Sequence, residues 1–103
     1  MVYAFDFDGT LDNESVIRFA KKLAIEGNEL WVVTMRRDDE FNNKKIDPYL
    51  KKIGLSKYSV MFSGGKEKWQ LLNIIGADVY IDNISDEFEI IKNHTGAIPL
   101  LWV

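Results

Sequence analysis

Two carboxylates, Asp6 and Asp8, lie two residues apart directly after the first apolar run of the chain. In an extended backbone such side chains point to the same side, and Gly9 permits a sharp turn immediately after them. Two anions held this close require a cation or a proton. Mg²⁺ meets that requirement because it is a hard ion that takes oxygen ligands and often combines carboxylates with substrate phosphate oxygens.

Further polar groups follow later apolar runs. Thr34 ends the second run, where its hydroxyl and the free N–H groups of the next loop could bind a phosphate oxygen; capping of its own turn is the competing interpretation. Lys66 and Lys68 begin a predicted helix, where cations oppose the helix dipole unless an anion is bound, although solvated surface lysines would look the same. Asp82 follows the run 79–81 and brings a third acid to the same predicted edge.

The elements that must position these groups alternate between strand and helix. Strands are predicted at 2–5, 30–33, 58–62, 79–81 and 98–103. Helices are predicted at 14–26, 48–53, 66–75 and 85–92, with Asn13 and Asp47 as N-caps, Pro48 as a first helical residue, and a polar loop over 36–45. Strands that are apolar on both faces are typical of a buried parallel sheet. The pattern predicts a three-layer α/β domain with about five parallel strands. The first strand is expected in the centre and the last, which contains Pro99, at an edge. Ligands are expected at the carboxyl ends of the strands.

Composition limits the classes of protein. The 103 residues suit a single domain spanning 1–103, and 47% hydrophobic with 28% charged residues is ordinary for a globular chain. A net charge of −3 indicates no general attraction to nucleic acid or to an anionic membrane, although a local basic patch would still allow a nucleic-acid partner. Cysteine is absent, so a metal must be held by oxygen or by the single His94. No basic leader precedes the first strand, which makes a cytoplasmic location the expectation.

The order of these groups resembles the haloacid dehalogenase superfamily over nearly the whole chain. The specific part is the segment Asp6-Phe7-Asp8-Gly9-Thr10-Leu11, followed in the right order by Thr34, Lys68 and Asp82. Lys68 matches the pattern better than Lys66, because an apolar residue follows it by one helical turn. The resemblance implies a Rossmann-like fold and an Mg²⁺-dependent phosphomonoesterase.

The resemblance also implies a role for each group. Asp6 attacks phosphorus and forms an aspartyl-phosphate, and Asp8 first protonates the leaving oxygen and later deprotonates water. The side chain of Asp6, the backbone carbonyl of Asp8 and Asp82 bind Mg²⁺. Thr34 and Lys68 hold the oxygens of the transferring phosphoryl group.

The chain departs from the family where a cap domain is usually inserted. Only a few residues separate Thr10 from the first helix, and later connections are short, so the chain resembles the capless group. An open site suits large or extended substrates, or a partner that covers it. Asn83 stands where some members have a second acid, and neither it nor Asp86 receives a role.

Two other classes compete with a phosphatase. A signalling receiver domain also uses strand-end acids and Mg²⁺, but its acceptor acid ends the third strand, which here ends in 62–64. A regulatory domain of the same fold would bind or accept phosphate without turnover.

Nucleotides, sugar phosphates, polynucleotide ends and phosphoproteins all remain open as substrates. Arg36 and Arg37 lie beside the predicted pocket, where they could contact a second phosphate or form part of a solvated loop. The sequence predicts no oligomeric state.

Overall fold

The computed structural model describes residues 1–103, and its five strands form one parallel sheet. The strands are β1 (Val2–Asp6), β2 (Glu29–Thr34), β3 (Val60–Phe62), β4 (Val79–Asp82) and β5 (Ile98–Leu101), in the spatial order β3-β2-β1-β4-β5. The helices are α1 (Glu14–Ile25), α2 (Glu40–Ile53), α3 (Lys68–Ile75) and α4 (Phe88–His94). The predicted α/β fold is confirmed, with β1 in the centre and β5 at an edge.

Two separate hydrophobic cores lie on opposite faces of the sheet. Phe5, Val32 and Ile81 pack on one face against α1 and α2. Their chain neighbours on the strands, Ala4 and Tyr80 among them, pack on the other face against α3. Because neighbouring strand residues point to opposite faces, a sheet covered on both sides requires the uninterrupted apolar runs seen in the sequence.

Helix α2 begins earlier than predicted. The polar stretch 36–45 was expected to be a loop with Asp47 as the N-cap, but the carboxylate of Asp39 accepts from the N–H of Asn42 at 2.8 Å and caps the helix there. Asp47 and Pro48 therefore lie inside the helix, so the predictions of Asp47 as N-cap and of Pro48 as the first helical residue are wrong. Pro48 is exposed, so the carbonyl that loses its N–H partner can bond to water.

Further boundaries differ from the prediction by two or more residues. Strand β3 begins at Val60, because residues 57–59 form a short helical turn. Helix α3 begins at Lys68, where the Gln70 side chain accepts from the N–H of Glu67 at 2.8 Å. Helix α4 begins at Phe88 and β5 ends at Leu101. The second of these shifts makes Lys68 the first residue of its helix.

The connections that could hold a cap are short. Residues 7–13 form a wide turn leading into α1, and residues 63–67 link β3 to α3 without an inserted domain. No helix has both the length and the apolar character needed to cross a membrane.

Candidate active site

Three strands deliver polar residues to one edge of the sheet. Asp6 ends β1, Thr34 ends β2 and Asp82 ends β4, and all three are nearly inaccessible, with exposures of 8%, 1% and 6%. Strand β1 lies between the other two, so Asp6 stands in the middle of the group. Parallel strands end at the same edge, which is why residues distant in sequence converge here. The predicted convergence of Asp6, Thr34 and Asp82 is thus present.

Lys68 bridges the two buried acids. Its Nζ donates to Oδ1 of Asp6 at 2.8 Å and to Oδ2 of Asp82 at 3.4 Å. The Lys68 side chain is only 11% exposed, and its Nζ lies 5.5 Å from the ring centroid of Tyr80. Lys66 is exposed and contacts neither acid. The structure therefore selects Lys68 over Lys66.

Burial and charge act in opposite directions on this ion pair. Burial raises the pKa of Asp6 to about 6, although the hydrogen bond and charge of Lys68 act to lower it. The pKa of Lys68 is raised above its ordinary value: burial acts to lower it, but the hydrogen bond to Asp6 and the charge of Asp6 act more strongly to raise it. At pH 7 and above Asp6 is thus mostly a carboxylate facing an ammonium, the ionisation state that a carboxylate nucleophile needs.

Tyr80 holds Asp82 in place. Its hydroxyl donates to Oδ2 of Asp82 at 2.5 Å, while the N–H of Ile84 donates to Oδ1 at 3.1 Å. Burial, together with the negative charge of Asp6, raises the pKa of Tyr80 well above its ordinary value, so the hydroxyl remains a donor. Sequence reasoning missed this residue. The available signal was its position two residues before Asp82, which places both side chains on the same side of β4.

Thr10 and Asn83 connect the loops after β1 and β4. The buried hydroxyl of Thr10 lies 3.3 Å from Oδ2 of Asp6 and 3.2 Å from Oδ1 of Asn83, and it accepts from the N–H of Asn83 at 3.1 Å. Its single proton bonds to one of those two oxygens at a time. Asn83, to which the sequence assigned no role, therefore ties the turn after Asp6 to β4.

Gly9 allows this close approach and provides a test of it. Its φ is +78°, and a Cβ there would lie 2.7 Å from Nδ2 of Asn83, whereas Gly54 has a similar φ of +84° and nothing within 4 Å. Both Gly→Ala changes carry the left-handed backbone penalty of about 1–2 kcal/mol. We expect Gly9→Ala to lower the free energy of unfolding in urea by more than Gly54→Ala does. In an Asn83→Ala background, Gly9→Ala should cost no more unfolding free energy than Gly54→Ala does, because the side chain that a Cβ would meet is gone. Equal losses for Gly9→Ala and Gly54→Ala in the wild-type background would contradict the contact.

Asp8 is more exposed than the two buried acids, and its carboxylate is bound by Arg36 rather than by Lys68. Arg36 binds its carboxylate through Nε at 2.9 Å and Nη2 at 2.7 Å, while Nη1 of Arg36 donates to Asn42 at 2.8 Å. The hydrogen bond from Arg36 holds the pKa of Asp8 below its usual value. This state suits a general base. The general-acid role requires a protonated Asp8, which the Arg36 contact opposes.

Thr34 shows the capping geometry that was the competing interpretation. Its hydroxyl oxygen accepts from the N–H of Arg36 at 3.1 Å, within its own turn. An oxygen that accepts in this way can still donate its proton to a phosphoryl oxygen. The two interpretations of Thr34 are therefore compatible.

The donor set is suited to a hard cation but incomplete as a side-chain cage. No three His, Cys, Asp or Glu side chains come together as a metal-binding group. Asp6 and Asp82 approach the same ammonium, whereas the carboxylate of Asp8 is engaged by Arg36. Two carboxylates facing a cation match the oxygen chemistry of Mg²⁺. The site implied by the resemblance asks only for a backbone carbonyl from Asp8, so it requires no third side chain.

The acids open into a cleft of about 290 Å³. It is lined by Asp6, Asp8, Lys68, Asp82, Ile84, Asp86 and Glu87. Asp86, also left without a role by the sequence, lies exposed at the rim of this cleft. Five of the seven lining side chains are acidic, so the cleft as a whole favours cations. A larger cleft, of about 620 Å³, lies beside it and contains none of these acids.

Comparison with known proteins adds little to this geometry. No family model matches the chain, and no solved structure matches it. An uncharacterized protein of Acanthamoeba polyphaga mimivirus is 30% identical over 73 residues, which cover 67% of this chain. The chain spans about 15% of the length of that viral protein. A function for the chain must therefore be argued from the site.

Proposed function

We propose that the chain is an Mg²⁺-dependent phosphomonoesterase of the haloacid dehalogenase superfamily, with Asp6 as its nucleophile. The observation that carries the proposal is the position of Asp6. It is a buried carboxylate at the end of the central strand, 2.8 Å from the ammonium of Lys68, with Asp82 as a second acid beside the same ammonium. A nucleophile needs such a charged partner to remain ionised in a buried site.

Each of this chain's residues then has a defined task. One carboxylate oxygen of Asp6 bonds to phosphorus as the bond from phosphorus to the leaving oxygen breaks. The leaving oxygen takes a proton from Asp8. Water next attacks the aspartyl-phosphate and gives its proton to Asp8, which frees Asp6 and releases phosphate. The Arg36 contact must open before Asp8 can carry a proton, since both carboxylate oxygens are engaged in it.

The remaining groups stabilise charge. Asp6, Asp82 and the backbone carbonyl of Asp8 would hold Mg²⁺, which supplies neutralisation of the phosphoryl oxygens when it is bound. Lys68 and the hydroxyl of Thr34 donate to oxygens of the transferring group, whose negative charge is spread over several atoms. The ammonium of Lys68 then turns from Asp82 toward the substrate.

The absence of an inserted cap leaves the proposed active site open to large substrates. Short connections at 7–13 and 63–67 leave the carboxyl edge of the sheet uncovered. An uncovered site excludes water poorly unless the substrate itself covers the site. Large or extended phosphate esters, or a partner protein over the site, suit this arrangement best.

A panel of phosphate esters tests the activity. We expect phosphate release with Mg²⁺ from at least one ester, and loss of that release when EDTA removes the metal, because the site's two buried carboxylates need a divalent cation beside a phosphate dianion. The panel should include a small ester such as methyl phosphate, a nucleotide, a sugar phosphate and a phosphopeptide. Release that is unchanged by EDTA would contradict the assigned site.

The Arg36 contact favours a second candidate function, a phospho-accepting or phosphate-binding regulatory domain. Asp8 held ionised by Arg36 is a poor acid for turnover, yet Asp6 would still be free to accept a phosphoryl group. The two functions separate in one measurement. An enzyme releases phosphate continuously from substrate, whereas a regulatory domain incorporates at most one equivalent and then stops.

A further inference from the structure

The larger cleft lies over the carboxyl ends of β2 and β3, one strand along from the acids. It measures about 620 Å³ and is lined by Met35, Arg37, Asp38, Phe62, Ser63, Gly64 and Gly65. None of these residues takes part in the chemistry proposed above.

The sheet register places this cleft against the phosphoryl position. Thr34 is paired with Phe62 across β2 and β3, and Met35 and Ser63 are the next residues on each chain. The acids Asp6 and Asp82 lie on the other side of Thr34, because β1 and β4 follow β2 in the sheet order. A phosphoryl group held between Asp6 and Thr34 therefore has the cleft directly beside it.

One part of the lining is apolar. The side chain of Met35 is exposed and that of Phe62 is half-buried, an arrangement that leaves both able to contact a ligand. Aromatic rings stack on planar groups, and the methionine sulfur makes favourable contacts with aromatic rings. Only these two lining residues are hydrophobic, too few for an alkyl chain.

The other part of the lining is rich in hydrogen-bond donors. Gly64 and Gly65 have φ values of +55° and +85° within a turn closed by the N–H of Lys66 and the carbonyl of Ser63 at 2.9 Å. No backbone carbonyl accepts from the N–H groups of these two glycines, and a Cβ on either would meet nothing within 4 Å. Arg37 is exposed and adds an unpaired guanidinium. These donors can bond to acceptor atoms on the edge of a ligand.

We propose that this cleft binds the leaving group of the phosphate ester, and that this group is a nucleoside; the inference rests on the proposed function. A nucleobase has apolar faces for Phe62 and Met35 and acceptor atoms along its edge for Arg37 and the glycine N–H groups. The ribose then bridges the base to the phosphoryl position beside Thr34. The bond that breaks joins phosphorus to the ribose oxygen, which leaves as a hydroxyl with the proton from Asp8.

Adenosine alone tests the site without requiring catalysis. The chain has three methionines, so the ¹³C-methyl signal of Met35 can be followed with Met1 and Met61 as internal references. We expect adenosine to shift the Met35 signal and leave Met1 unchanged. Phe62→Leu should weaken binding at least about fivefold, since stacking on an aromatic ring is worth ~1–3 kcal/mol per base. Tyr58→Leu, which removes an aromatic side chain that is 81% exposed and outside the cleft, should not weaken binding.

A second variant guards against misfolding of Phe62→Leu. Arg37 is exposed, so Arg37→Gln should fold normally and still weaken adenosine binding. In turnover, Phe62→Leu should raise KM for adenosine monophosphate at least about fivefold more than KM for methyl phosphate. If methyl phosphate is hydrolysed while adenosine fails to shift Met35, this inference is overturned and the proposed function stands. If adenosine binds but no ester is hydrolysed, the proposed function and the leaving-group role are both overturned.

Discussion

Asp6→Asn is expected to abolish phosphate release, with kcat falling by at least about 10³-fold, the scale seen when a covalent nucleophile is removed. A neutral amide cannot form the ester to phosphorus on which the two-step reaction depends. The change is nearly isosteric, and Lys68 keeps Asp82 as a partner at 3.4 Å, so the variant should fold. Steady-state release of phosphate from the best ester of the panel measures the loss.

The control for this variant is Asp47→Asn. Asp47 lies in α2, where it pairs with Lys51 on the surface away from the acids. It should keep the wild-type rate, and circular dichroism should show the same fold for both variants. An Asp6→Asn protein that hydrolyses esters at the wild-type rate would rule out Asp6 as the nucleophile. Rapid-quench labelling with ³²P-labelled substrate should mark the wild type and leave Asp6→Asn unlabelled.

Lys68→Met is expected to lower the metal-free free energy of unfolding by about 3 kcal/mol, the usual cost of leaving a buried charge without its partner. The side chains of Lys68, Asp6 and Asp82 are only 11%, 12% and 9% exposed, so water cannot replace the ammonium well. Without Lys68 the pKa of Asp6 should rise beyond its present value of about 6. A carboxyl whose pKa is higher in the folded than in the unfolded protein destabilises the fold as pH rises from the unfolded value through the folded value. The free energy of unfolding lost in Lys68→Met should therefore be larger at pH 8 than at pH 5.

Mg²⁺ provides the decisive comparison for Lys68→Met. A divalent cation held by Asp6 and Asp82 would supply the charge that the ammonium supplied, so saturating Mg²⁺ should stabilise Lys68→Met more than it stabilises the wild type. Lys66→Met is the matched control. Its lysine is exposed and touches neither acid, so its stability should stay within about 0.5 kcal/mol of wild type. Equal effects of the two substitutions, or no extra gain from Mg²⁺, would contradict a shared cation position.

Much of the fold followed from local sequence pattern. Two-sided apolar runs at 2–5, 30–33 and 79–81 predicted buried parallel strands, and the structure places them side by side in the centre of the sheet. The predicted start of α2 was wrong because prolines usually occupy the first turn of a helix, and Pro48 was assigned to that position. In the structure Pro48 lies inside the helix, which begins at Glu40. Local preference is a weak guide wherever tertiary packing, here of Ile46 and Leu50, favours a longer helix.

The sequence by itself determined which residues end the central strands: Asp6, Thr34 and Asp82 stand where apolar runs stop, and parallel strands end together. The family pattern already favoured Lys68 over Lys66, but only the tertiary structure shows its contact with the acids, since Lys68 and Asp6 lie 62 residues apart and the contact depends on where α3 crosses the sheet. The tertiary structure also decided that Arg36 engages Asp8 and that a second cleft opens beside Thr34. The reason is physical: periodicity reports the burial of a residue within its own element, whereas a side-chain partner is set by the packing of elements distant in the chain.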